Sequence, residues 1–107
     1  MPCYQDDYHP DALQDINALR QAGRYQALGQ LLVLIDDVIE HGLSSSEMPA
    51  HPVTVGNGYG LYERCAPQMF GVFAIEQPPA PGQLPVVWLL AVATTSVAAR
   101  TAAAARV

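Results

Sequence analysis

Residues 59–76 read YGLYERCAPQMFGVFAIE, and they decide the fold. Leu61-Tyr62-Glu63-Arg64 and Phe70–Glu76 are strand-like, and Ala66-Pro67-Gln68 between them reads as a hairpin turn. The loop that follows, QPPAPGQ (77–83), is too rich in proline for a helix or a strand interior. Next comes the apolar run LPVVWLLAVA (84–93), with little alternation. A strand covered on both faces reads this way, so 86–92 is placed centrally in a sheet built from residues 59–92. The stop Thr94-Thr95-Ser96 precedes an alanine-rich tail. Alanine is the best helix former, and Ser96 is placed to cap a last helix over 96–107.

Upstream, two helices are expected. Pro10 suits a first turn, and Ala12, Leu13, Ile16 and Leu19 recur at helical spacing over 10–22. Asp11, Asp15 and Arg20 have the favourable sign for their ends of that helix. After Gly23, Leu28, Leu31, Leu32, Ile35, Val38 and Ile39 form one broad apolar face over 24–41, with Asp36, Asp37 and Glu40 toward the other side. His41-Gly42 is a stop. The two helices form an antiparallel hairpin on one face of the sheet, and residues 2–8 read as a short edge strand. Residues 43–58 read as a loop in which Val53 and Val55 begin a strand. The expected architecture is α+β: an N-terminal helical hairpin packed on a small antiparallel sheet, with a C-terminal helix, in one domain over 1–107.

Composition narrows the function. The chain has 107 residues, half of them hydrophobic, and a formal net charge of −5. It contains no lysine. Phosphate affinity comes largely from Lys and Arg, so tight nucleic-acid binding is not expected. The acidic residues concentrate in the first half, which holds eight of the ten. The longest apolar run is about half of what a membrane helix needs, and MPCYQDDYHP is no signal peptide, so a cytoplasmic protein is expected. Cys3 and Cys65 make no redox or metal motif, and the spacing does not say whether they meet. His9, His41 and His51 share no ligand spacing, so no metal or cofactor is expected. Ser44-Ser45-Ser46 lacks a nucleophile context, Gly56–Gly60 reads as a turn or bulge, and Asp36-Asp37 reads as a solvated face.

The element order resembles the RelE/ParE superfamily of small bacterial toxins. Tyr8-His9-Pro10-Asp11-Ala12-Leu13 resembles that family's entry to its first helix. Leu61-Tyr62-Glu63-Arg64, Phe70-Gly71-Val72-Phe73 and Trp88–Ser96 resemble three of its strands, and Ala104-Ala105-Arg106 its closing helix. RNA-cleaving members carry basic residues where this chain has Gly71, Thr94 and Thr95. Arg64 is the one catalytic candidate left, with an ion pair to a neighbouring acid as its plainer role. The resemblance therefore implies a ParE-like toxin of a type II toxin–antitoxin, plasmid-stabilisation-like system. It would act by binding protein (DNA gyrase in that branch), would be neutralised by a cognate antitoxin, and would not cleave RNA. Two alternatives stand beside it: a non-toxic plasmid or phage accessory binding protein of the same fold, and a ribosome-dependent mRNA interferase. The last helix has few large apolar anchors, and burying methyl groups contributes only about 0.8 kcal/mol each. It is read as a segment that docks on an antitoxin or on a second copy in a homodimer, with Trp88, Val97, Arg100 and Arg106 as the partner-binding residues; a helix that simply closes one edge of the core is the plainer alternative.

Overall fold

The computed structural model describes residues 2–42, 51–54, 60–77 and 80–106. Ser44–Ser46, Val55, the glycine-rich residues 56–59 and Val107 lie outside the described residues. The chain runs β1 (Gln5–Tyr8), α1 (Pro10–Gln21), α2 (Tyr25–His41), β2 (His51–Thr54), β3 (Gly60–Ala66), β4 (Met69–Glu76), β5 (Val86–Ala93) and α3 (Ser96–Arg106). The five strands form one sheet in the order β1-β5-β4-β3-β2. The fold is α+β; β3, β4 and β5 are consecutive antiparallel strands within 59–92 as expected, and β2 adds a fourth before them. The sheet is nevertheless mixed, because β1 joins the free edge of β5 in parallel. Antiparallel neighbours need only a tight turn, whereas the 77 residues between β1 and β5 give a crossover long enough for parallel pairing.

Local chemistry sets the helix ends. His9 caps α1: its Nδ1 accepts from the Asp11 amide at 3.1 Å, and Pro10 needs no partner for a missing N–H. Gly23, at φ +74°, takes the left-handed turn that reverses the chain between α1 and α2. For α3 the cap is one residue earlier than expected. The Thr95 hydroxyl accepts from the Ala98 amide at 3.2 Å, while the Ser96 hydroxyl donates to Glu63 at 2.7 Å.

Two apolar cores lie on opposite faces of the sheet. On one face, Ala12 and Leu19 of α1 and Ala27, Leu31, Leu34 and Val38 of α2 meet Met69, Phe73, Val87, Leu89 and Val92. The α2 residues repeat at the 3.6-residue period of a helix lying on a sheet. On the other face, Ala99 and Ala103, one turn apart, meet Leu61, Val72, Leu90 and Ala91. The unbroken apolar run of β5 thus has its physical reason, since α1 and α2 cover one side and α3 the other.

A bulge adjusts β5 between these covers. Phe73 pairs with Leu89 but Val72 pairs with Ala91, which leaves Leu90 as an extra residue. Leu90 and Ala91 then both face α3, whereas Val92 returns to the helical-hairpin side.

Candidate functional site

Polar chemistry in this chain is organised around its arginines. Arg64, in β3, lies on the face under α2 and is fully buried. Its Nη2 donates to Asp37 of α2 at 2.8 Å, while its Nε and Nη1 have no hydrogen-bond partner among the described residues. Asp37 is therefore turned inward, a correction to its reading as part of a solvated pair. Partial desolvation of this acid is offset by the guanidinium beneath it. Arg64 is thus a core side chain paired with a helix acid, with no exposed surface to offer a phosphate.

The other two arginines of the second half fasten α3. Arg100 donates to the buried Glu63 through Nε at 3.0 Å and Nη2 at 3.1 Å, and Ser96 donates to the same carboxylate. The hydrogen bond to Glu63 holds the Arg100 guanidinium above its ordinary pKa. Arg106 reaches around the edge of the sheet. Its Nη1 donates to Asp15 at 2.6 Å and to the Leu90 carbonyl at 2.8 Å. The same Asp15 accepts from the Val92 amide at 3.1 Å. Strand β1 ends opposite Leu89, so the Asp15–Arg106 pair continues the edge by satisfying the two backbone groups beyond it. The pairing with Asp15 also raises the Arg106 pKa.

Of the residues read from sequence as partner-binding, Arg100 and Arg106 are engaged within the chain. Trp88 is half-buried on the α3 face, its indole donating to Glu76 at 2.8 Å. Val97 is 77% exposed. The structure does not gather the four into one free patch. Gly71 lies on the helix-covered face, where an added Cβ would stand 3.2 Å from the Phe73 ring. A basic side chain has no room there, so the absence of one at position 71 follows from packing. Thr94 and Thr95 are exposed at the end of β5. Among the described residues, no cluster of His, Cys, Asp or Glu suits a metal, and no helix is long and apolar enough to cross a membrane. Cys3 and Cys65 are both free and exposed.

Sequence periodicity missed a different surface. The outward side of α2 carries Tyr25 at 68%, Leu32 at 69% and Val33 at 64% exposure, and Leu13 of α1 stands beside them at 52%. At helical spacing, Tyr25, Gly29, Leu32 and Val33 form one ridge. A depression flanks it on each side. The groove toward α1 has a volume of about 320 Å³ and is lined by apolar side chains that include Leu13, Ile16, Leu28 and Leu32. The trough toward the β3–β4 turn, about 590 Å³, runs past Gly29, Val33 and Pro67. Gly29 has no neighbour within 4 Å of where a Cβ would stand. A mid-helix glycine costs about 0.5–1 kcal/mol relative to alanine, and none of the described residues packs against this one. The periodic pattern did place Leu32 on the apolar face. What it could not show is that this face is wider than the sheet beneath it, so its margin projects into solvent.

The charges along α2 oppose its dipole. Arg24 is the N-terminal flanking residue and no acid lies in the first turn, whereas Asp36 and Glu40 are exposed in the C-terminal half. Only His41, when protonated, has the favourable sign in the last turn. Helix α1 has the opposite, favourable arrangement, with Asp11 in its first turn and Arg20 in its last.

Compared with known proteins, the chain matches no family model, no curated protein and no solved structure.

Proposed function

We propose that this protein acts by binding another protein chain through the outward face of α2 and the groove beside it, and that it does so without bond-breaking chemistry. The observation that carries this reading is the exposed ridge Tyr25–Leu32–Val33, joined by Leu13 across an apolar groove. Contiguous exposed apolar side chains at an open groove mark contact surfaces, and a helix with such a face is a common protein-recognition element. The cations point the same way. Arg64, Arg100 and Arg106 are each neutralised by a carboxylate of the same chain, so they do not form a free cluster for an RNA backbone.

The finer proposal is a ParE-like toxin module, held in check by a co-encoded antitoxin. It is supported by the order strand, two helices, antiparallel strands and closing helix, which resembles that superfamily. The test is induced expression in bacteria, with and without the gene adjacent to its own. Growth arrest that the neighbour relieves, and that Leu32→Asp abolishes, is the expected result. Arrest accompanied by site-specific cleavage of ribosome-bound message would overturn the binding mechanism in favour of an interferase. No arrest in either case would replace the toxin by an accessory binding protein of this fold.

A further inference from the structure

We infer that the partner on the outward face of α2 is a second copy of this chain, packed with its α2 antiparallel across a two-fold axis near Gly29 and Leu32. The inference rests on the protein-binding reading and names its occupant.

Three observations select a second copy. The first is charge. Helix α2 is bipolar, with Arg24 at one end and Asp36 and Glu40 toward the other, and each end carries the sign its own dipole disfavours. All three side chains are exposed, and among the described residues none is in an ion pair. An antiparallel copy sets Arg24 and the positive helix start against the partner's Asp36, and the symmetry makes the same pairing a second time. Self-complementarity of this kind is what a two-fold interface requires.

The second observation is shape. Antiparallel packing about an axis near residues 29–32 seats each Leu32 in the α1–α2 groove of the other copy, a ridge entering a groove. The third is Gly29. It occupies the middle of the ridge with open space over it, and under the proposed axis it lies where the two helices come closest. A missing side chain at that point lets the backbones approach, which gives the glycine a reason that its own chain does not.

The test is sedimentation of the purified full chain over a wide concentration range, with two kinds of variant. The parent is expected to show a monomer–dimer equilibrium. Gly29→Gln is expected to weaken it about tenfold or more while leaving the dilute monomer as heat-stable or more so, because glutamine is the better helix former. Reversing either charge, Arg24→Asp or Asp36→Arg, is expected to weaken the dimer, and combining the two to restore it. A parent that stays monomeric, or a Gly29→Gln variant that dimerises as well as the parent, overturns the inference. A photo-crosslinking residue at position 33, activated in cells, separates this failure from failure of the broader reading. A product of twice the chain mass supports the second copy. A product with a different polypeptide overturns self-association and leaves protein binding intact, and the absence of any product overturns both.

Discussion

The two faces of the sheet are covered by different physics. Under the α1–α2 hairpin, leucines and valines from two helices meet Phe73, Met69 and the inward side chains of β5. Under α3 the helix contributes only Ala99 and Ala103 to the buried set, and its hold comes from Arg100 on Glu63 and Arg106 on Asp15. One cover is held by area removed from water, which is non-directional and not subject to charge screening. The other is held by a few directed contacts between charges, which salt screens and a single substitution removes. The contrast shows that an alanine helix can be seated on a sheet when its ends are tied. Docking to another chain is therefore not needed to explain its order.

The hairpin cover should give the largest effect. Leu34 is completely buried in α2, and Leu34→Ala is expected to lower global stability by about 2–5 kcal/mol, read by chemical denaturation. A loss below about 1 kcal/mol would mean that this face is not held by burial. Next is the edge clamp. Arg106→Ala removes the bonds to Asp15 and the Leu90 carbonyl and is expected to cost about 1–2 kcal/mol after solvent screening. Its particular signature is faster amide exchange in α3, with α2 unchanged; equal acceleration in both helices would dissolve the distinction between the covers.

A third variant probes the one charged intruder in the hairpin core. Arg64 is fully buried with two donors unpaired, so replacing the whole pair, Arg64→Met with Asp37→Leu, is expected to fall within about 1 kcal/mol of the parent or to exceed it in stability, whereas Arg64→Met alone deprives the Asp37 carboxylate of this cation and is expected to cost more. A large loss in the double variant would show that the Asp37 bond is needed to seat α2. The smallest effect appears only in alkali. Burial, reinforced by a hydrogen bond to Asp6, pushes the Tyr8 hydroxyl well above its ordinary value of 10.0. The folded state then keeps a proton that the unfolded chain releases. Stability from this group is complete below pH 10 and declines as pH rises past it. Tyr8→Phe should flatten that decline, measured as melting temperature against pH. Arg100 and Arg106 stay charged over the same range, so the α3 cover does not contribute to it.

Much of this architecture is legible in the sequence because period and length are local properties. The runs Ala27–Val38 and Met69–Glu76 announce their type, and the doubly covered character of 86–93 follows from its lack of alternation. What covers its second face does not, since Ala99 and Ala103 are indistinguishable from their alanine neighbours until Thr95 and Ser96 fix the helix phase. The bulge at Leu90 is invisible for a related reason: an apolar run with no alternation carries no phase to be broken. Asp37 reads as solvated because its partner Arg64 is 27 residues away and on another element. The candidate surface was concealed by its likeness to core, because Leu32 and the buried Leu31 are neighbours of the same type. Only the width of the sheet beneath decides which of them is left outside.

The parallel pairing of β1 with β5 has a consequence for timing. Strand β1 is complete at Tyr8, but its sheet partner begins at Val86 and the clamp on Asp15 waits for Arg106. At about 5–20 residues per second of synthesis, roughly 4–16 seconds separate the two strands at the point of elongation. Through that interval the α1–α2 hairpin has β3 and β4 at most to rest upon, and its face toward Val87, Leu89 and Val92 stays bare. Strand β5 and helix α3 are also the last elements of this fold to be synthesised. Closure of this sheet accordingly waits for β5, and until then the nascent fold carries an apolar hairpin without its floor.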